Sequence, residues 1–393
     1  MRYRRFGKTE LKMPVLTCGG MRYQHAWSDV PPTQVPPESQ TNLEATVLRA
    51  LELGIHHIET ARGYGTSEMQ LGSVLSKLPR GNLLVQTKVG PKEKARDFLA
   101  DFDKSLSYLK LDFVDLFSLH GINNREKLHW SLKKGGCLEA ALRLKEQGRV
   151  RHIGFSTHAT TDVILETLQS GGFEYVNLHY YFVNPLNREA VVEASRRDMG
   201  VFIISPNDKG GKLYAPPPKL TELCRPLSPM QFNVLYCLAE PAVHTLSIGA
   251  ARPSDFDQHV AALAHYDHID ETLAPILSRL EAEMERALGR DWCEHWPEGV
   301  PEYEHVPGQV NVREILRLWA YARAFDLVEW GKMRYNLLGR GDDWFPGENA
   351  GKLDRPAFER LFANHPRKSR ILQALSDAHA LLAGEARKRL SQS

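Results

Sequence analysis

Short β-rich runs alternate with amphipathic helical stretches from residue 1 to about residue 265, and this alternation constrains the fold more than any other feature. "MRYRRFGKTELKMPVLTCGG" predicts a small hairpin turning at Gly7, then a first strand ending at Cys18-Gly19-Gly20. Further strands are expected at 55–60, 83–89, 113–120, 151–156, 175–180, 201–206 and 244–249. Between them, "NLEATVLRALELG" places Leu43, Val47, Ala50 and Leu51 on one helical face. "CLEAALRLKEQG" and "REAVVEASRRDMG" end in glycines suited to helix C-termini. Eight strands alternating with helices predict a parallel α/β fold closed as a (β/α)8 TIM barrel. A doubly wound nucleotide fold would need a GxGxxG turn after its first strand, and "CGGMRYQ" lacks that spacing.

From about residue 271 the pattern changes to helices alone. "ETLAPILSRLEAEMERALG" sets Leu273, Leu277, Leu280 and Met284 on one side, and "VNVREILRLWAYARAFDLVEW" places Val312, Ile315, Leu316 and Trp319 on a stripe. "SRILQALSDAHALLAG" closes the series. The expected organisation is a barrel over residues 1–270 and a helical C-terminal domain over 271–393. A net charge of +2 gives no field that argues for nucleic acid or an anionic membrane. No apolar run is long enough to span a bilayer. The N-terminus has no apolar h-region of a signal peptide. Cys18, Cys137, Cys224, Cys237 and Cys293 form no CxxC pair and no disulfide-like framework, so a reducing cytoplasm is the expected location.

Barrel chemistry sits at the C-terminal strand ends. Read in turn, those ends carry Glu59 and Tyr64, then Lys88, then His120. A phenol is a weak acid at neutral pH until a neighbouring cation eases its ionisation. Lys88 would supply that cation, Glu59 would fix the ammonium, Tyr64 would protonate a substrate oxygen and His120 would orient the carbonyl. Hydride must come from a cofactor, because no side chain donates one. His56 and His57 are adjacent on a strand and face opposite sides, so they cannot share a metal ion, and no metal is expected. Trp27, in a Pro-rich loop, and Trp130 are candidate walls of a substrate pocket. His158 and His179 lie at or beyond strand ends and could also line it.

"ETARGYGTSE", with Lys88 and His120, resembles the signature of the aldo-keto reductase family, whose barrel carries an Asp-Tyr-Lys-His tetrad. The resemblance runs over about residues 1–265 through "GFSTH", "IISPNDKGG" and "SIGAARPSDF", with Glu59 standing in place of the Asp. It implies that Tyr64 is the general acid/base, Lys88 its activator, His120 the orienting residue and Glu59 the lysine partner. It implies a nicotinamide cofactor held by Gly20, Met21, Ser156, Thr157, Asn177, Ser205, Pro206, Lys209, Gly211 and Arg252. NADP(H) is expected over NAD(H), with Arg252 reading the 2′-phosphate although Asp255 stands nearby. Leu178 and Ile204 depart from the family's usual Gln and stacking aromatic.

The C-terminal stretch "GQVNVREILRLWAYARAFDLVEWGKMRYNLLGRGDDWFPG" resembles a ferredoxin-like domain found in one branch of that family. Only Cys293 remains of the cysteines such a domain needs, so no iron–sulfur cluster is expected. The expected function is NADPH-dependent reduction of an aldehyde or ketone, with a small carbonyl compound as the partner molecule. A nucleotide-binding sensor or scaffold, engaging a protein partner through the helical tail, is the alternative.

Overall fold

The structure is a computed structural model and describes residues 1–385 of the 393-residue chain. It divides into two compact units, one of residues 1–206 with 233–267 and the other of 207–232 with 268 onward.

In the first unit, β1 (Tyr3–Arg5) and β2 (Lys12–Pro14) form the N-terminal antiparallel hairpin. The next eight strands are β3 (Leu16–Gly19), β4 (His57–Glu59), β5 (Leu84–Val89), β6 (Val114–Leu119), β7 (Val150–Ser156), β8 (Tyr175–Leu178), β9 (Gly200–Ile203) and β10 (Thr245–Ile248). They pair in chain order, all parallel, and β10 closes on β3 to complete a barrel. The helices that follow β3 to β6 are α1 (Pro37–Glu52), α2 (Ser67–Leu75), α3 (Ala95–Leu109) and the pair α4 (Arg125–Leu132) and α5 (Cys137–Glu146). Behind β7 and β8 come α6 (Thr161–Gln169) and α7 (Arg188–Arg196). On α1, Leu43, Val47 and Ala50 are buried as the periodicity requires.

Most strands are shorter than their β-rich runs, two of them for clear local reasons. Residue 55 is lost from β4 because the Ile55 N–H turns back to the Ala50 carbonyl at 2.8 Å and closes α1. β9 stops before Ser205, whose φ of 52° lies in the left-handed region. The N-terminal hairpin fills one end of the barrel: Phe6 and Met13 pack with Leu116, Tyr175 and Phe202 in a fully buried cluster. That plug leaves the opposite end, where the strands run out, for chemistry.

The second unit contains α8 (Pro218–Leu223), the first turn of α9 (Pro229–Ala239), and, beyond α10 (Asp257–Ala262) of the first unit, α11 (Ile269–Leu288) and α12 (Arg290–His295). It continues with α13 (Val312–Phe325), α14 (Val328–Tyr335), α15 (Arg355–Leu361) and α16 (Lys368–Leu382). Among the described residues it holds no named strand. The inner face of α11 is Ile269, Leu273, Ile276 and Leu280, while Leu277 and Met284 sit half-exposed at its margin. α13 is buried on almost every side, and Trp319 meets Trp292 edge-on at 5.3 Å between ring centroids. Arg317, also buried, is held by a bidentate contact with Glu314 and lies over the Trp330 ring. The helical unit is thus organised around tryptophan, with cations neutralised within it.

Candidate active site

Side chains alternate along a strand, so Glu59 on β4 and Lys88 on β5 both face the barrel interior at its open end. Their carboxylate and ammonium are in direct contact, with 4% and 2% of the side chains exposed. Lys88 Nζ also donates to the Thr60 carbonyl at 2.8 Å. Gly19 leaves room for the long acid: a Cβ there would lie 3.4 Å from Glu59 Oε2 and only 2.4 Å from Ser247 Oγ. Burial drives the Lys88 ammonium well below its ordinary range; the adjoining Glu59 carboxylate is the group that opposes the loss of its proton.

Tyr64 reaches the same point from the turn after β4. Its N–H donates to Ala61 at 3.0 Å and its carbonyl accepts from Ser67 at 3.1 Å, which fixes the turn at the head of α2. Gly65 adopts φ +53°, and a Cβ there would fall 1.9 Å from the Ala26 carbonyl oxygen, so only glycine permits this approach. Lys88 Nζ stands 4.7 Å from the Tyr64 ring centroid. His120, just past β6, meets the Tyr64 ring edge-on at 5.6 Å. Burial raises the Tyr64 phenol above its ordinary value. Burial, then the Lys88 and Lys127 charges, lower His120 to about 3, so its imidazole is neutral at physiological pH. The four side chains expected from the strand ends therefore converge.

Trp27 meets Tyr64 edge-on at 6.5 Å and is 50% exposed. Its loop is clamped by Asp29, which contacts Arg62 and accepts from Lys104 at 2.6 Å. Trp130 is half-buried on α4.

The expected cofactor residues divide by what already occupies them. Asn177, fully buried on β8, has no partner for either Oδ1 or Nδ2, so its amide can both donate to and accept from an incoming group. That orphaned amide fits the carboxamide of a nicotinamide. Ser156 Oγ accepts from the Gly121 N–H at 3.0 Å. The Thr157 hydroxyl already donates to the Ile122 carbonyl at 2.7 Å and accepts from the Ala159 N–H at 3.0 Å. Gly20 is fixed by its N–H to the Glu59 carbonyl at 2.7 Å and by Ser67 Oγ donating to its own carbonyl at 2.8 Å; Met21 follows, half-buried. Ser205 lies two residues beyond the end of β9, and the Pro206 carbonyl accepts from Asn233 Nδ2 at 3.0 Å. Lys209 and Gly211 belong to the second unit, where the Lys209 carbonyl accepts from Trp330 Nε1 at 3.2 Å and its ammonium lies over Trp344.

Arg252 is exposed and donates through Nε to Asp255 at 3.1 Å. Asp255 also accepts from the Ala251 N–H at 2.9 Å and pairs with Arg22 at 3.3 Å. Its charge is thus shared between two guanidiniums, and Arg22, which also donates to the Gly249 carbonyl at 2.6 Å, joins this cluster. A basic residue directly after Met21 was the sequence signal for Arg22. A second chain runs across the ends of β7 to β9: His158 Nδ1 lies 2.5 Å from His179 Nε2, His179 Nδ1 contacts the Tyr181 hydroxyl, and that hydroxyl donates to the Ile204 carbonyl. Because Tyr181 spends its proton on the carbonyl, His179 carries its own on Nδ1 and accepts at Nε2 from His158. Among the described residues, no cluster of three or more His, Cys, Asp or Glu is placed to hold a metal ion, and no helix is long and apolar enough to cross a membrane.

The Aldo/keto reductase family model matches residues 15–210. L-galactose dehydrogenase of Arabidopsis thaliana is 26% identical over 295 residues, covering 65% of this chain and 88% of that protein. An aldo-keto reductase of Mycobacterium avium is 32% identical over 180 residues, or 43% of this chain and 54% of that relative's length. Among solved structures, the holo form of an aldo-keto reductase from Bacillus halodurans superposes with a TM-score of 0.56 at 22% identity, covering 69% of this chain and 96% of that one. An aldo-keto reductase from Klebsiella pneumoniae in complex with NADPH gives 0.54 at 17% identity, covering 69% and 94%. At these identities the structural likeness is one of fold.

Proposed function

The chain belongs to the aldo-keto reductase family, whose members are oxidoreductases, and on that premise we propose that it reduces a small aldehyde or ketone to an alcohol with NADPH. The observation that carries this reading is the placement of Lys88, held by Glu59 and the Thr60 carbonyl, against the face of Tyr64 with His120 at the ring edge. NADP(H), when bound, supplies the hydride that no side chain can. The orphaned Asn177 amide supports a nicotinamide carboxamide at the barrel mouth, and Arg252 with Arg22 offers charge for a 2′-phosphate.

Tyr64 delivers its phenolic proton to the substrate oxygen as negative charge develops there. Left to burial alone, the phenol holds that proton too tightly; the Lys88 ammonium stabilises the phenolate that remains. Glu59 anchors the ammonium without competing for the Tyr64 proton. His120, neutral, donates one N–H to the same oxygen and sets the carbonyl's orientation. Trp27 covers the phenol from solvent. The test is a steady-state assay of NADPH oxidation with aldehydes, ketones and aldoses, the last prompted by the L-galactose dehydrogenase relative. Saturable turnover with at least one class is expected. Tight NADPH binding with no turnover across the panel would favour the sensor or scaffold instead.

A further inference from the structure

Trp27 sits on a solvent-exposed stretch of the loop after β3, residues 27–29, yet that loop is fastened to the barrel on both sides of the indole. Before it, the His25 N–H donates to Gln70 Oε1 at 2.9 Å and the Ala26 N–H to Thr66 Oγ1 at 3.1 Å. The Ala26 carbonyl accepts from the Thr66 N–H at 3.0 Å. After it, Asp29 bridges two cations. One of its carboxylate oxygens contacts the Arg62 guanidinium, and the other accepts from Lys104 Nζ on α3 at 2.6 Å.

Arg62 is fixed before Asp29 reaches it. Its N–H donates to the Lys88 carbonyl at 2.9 Å, which ties it to β5, and its guanidinium lies 4.8 Å from the centre of the Tyr108 ring on α3. Inward, Nη1 contacts Glu68 on α2, a fully buried carboxylate that also accepts from Thr87 Oγ1 at 2.6 Å. Burial pushes the Glu68 carboxyl up, and the Arg62 charge is the first of the groups that oppose it. Breaking such a buried pair is costly, so the inner nitrogen of the guanidinium is committed to Glu68. The planar fork then presents Nη2 outward, to Asp29. Arg62 and Lys104 balance Glu68 and Asp29, two charges against two.

The Asp29 side chain is 32% exposed, so its pairing adds little to stability; what it fixes is the chain beside it. Trp27 lies two residues before Asp29, and Tyr64 lies two residues after Arg62. The ion pair therefore joins the same two segments as the edge-on contact of the Trp27 and Tyr64 rings at 6.5 Å. We propose that Asp29 and Arg62 are positioning residues whose ion pair holds the Trp27 indole beside Tyr64 and so favours small aldehydes over bulky ones at the phenol. The size selection rests on the reductase reading above; the holding of the indole does not.

Asp29→Asn is nearly isosteric and removes the charge, whereas Asp29→Glu keeps it. In Asp29→Asn, the kcat/KM ratio of propanal to 2-naphthaldehyde is expected to fall about fivefold, through KM, with kcat for propanal changed by less than about twofold. Asp29→Glu should restore the ratio. In a Trp27→Ala background the same substitution should leave the ratio unmoved, because the indole it acts through is gone. An unchanged ratio in Asp29→Asn, or an equal fall with and without Trp27, would overturn the size selection. A second measurement needs no turnover and so separates this inference from the reductase reading. With the seven tryptophans labelled as 5-fluorotryptophan, Trp27→Phe assigns the Trp27 fluorine resonance. Asp29→Asn should shift and narrow that resonance and leave the others in place, and Asp29→Glu should return it. A Trp27 resonance unmoved in Asp29→Asn would contradict the holding of the indole, whether or not any carbonyl compound is reduced.

Discussion

Lys88 Nζ lies 4.7 Å from the centre of the Tyr64 ring, and the ammonium is held there by Glu59 and by the Thr60 carbonyl rather than by the phenol itself. The cation is thus positioned by groups other than the phenol to which the proposed reading gives proton delivery. Its field acts on Tyr64 without a hydrogen bond that would have to break.

Removing one member of that pair is expected to cost more stability than removing both. Lys88→Met leaves a buried carboxylate without its cation and should destabilise the fold by about 3 kcal/mol. Lys88→Met/Glu59→Gln should recover most of that loss while remaining inactive. Urea unfolding of the single and double variants checks this. A double variant no more stable than Lys88→Met would show that the pair is not the source of the loss.

Acid should unfold the protein through its buried histidines. Burial is the leading cause that lowers His57 and His120 to about 3 and His244 and His259 to about 4, from an unfolded value of 6.5. Between the unfolded and folded values, the unfolded chain binds more protons, so stability rises with pH in that window and is lost as pH falls below about 6.5. Each histidine contributes up to about 1.4 kcal/mol per pH unit there. His120 is half-exposed at the barrel mouth, so the fully buried His57 should carry the larger share. Urea midpoints measured from pH 7.5 to pH 4.5 should fall steadily; a flat profile would contradict neutral burial of these rings.

The expected preference for NADPH hangs on Arg252, with Arg22 behind the shared Asp255. Arg252→Ala should weaken NADPH by about tenfold, the order of one charge-assisted hydrogen bond, and leave NADH nearly unchanged. Asp255→Asn releases both guanidiniums and should tighten NADPH. Fluorescence titration with the two nucleotides reads both effects. Equal losses for NADPH and NADH in Arg252→Ala would remove Arg252 from the phosphate site.

The barrel was legible in the sequence because its strands are short apolar runs bounded by glycines and separated by periodic helices, from "IHHIET" to "HTLSIG". The convergence of Glu59, Tyr64, Lys88 and His120 followed from strand order alone, since consecutive parallel strands bring their ends together. What could not be read were pairings set by closure of the barrel. Thr17 and Thr245 are far apart in the chain and meet only because β10 pairs with β3. Arg22 and Asp255 meet for the same reason. His57, next to His56, drew attention only as a metal ligand, because nothing local reveals that the Thr17 hydroxyl meets its ring. The grouping of residues 207–232 with the C-terminal helices likewise rests on distant contacts, such as that of the Lys209 carbonyl with Trp330.

Tyr64→Phe tests the central claim most directly, because it removes one oxygen and keeps the ring beside Lys88, His120 and Trp27. With an aldehyde that the wild type reduces, kcat/KM for NADPH-dependent reduction is predicted to fall by at least about 100-fold while NADPH binds as before. Turnover near the wild-type rate in Tyr64→Phe would contradict Tyr64 as the proton donor.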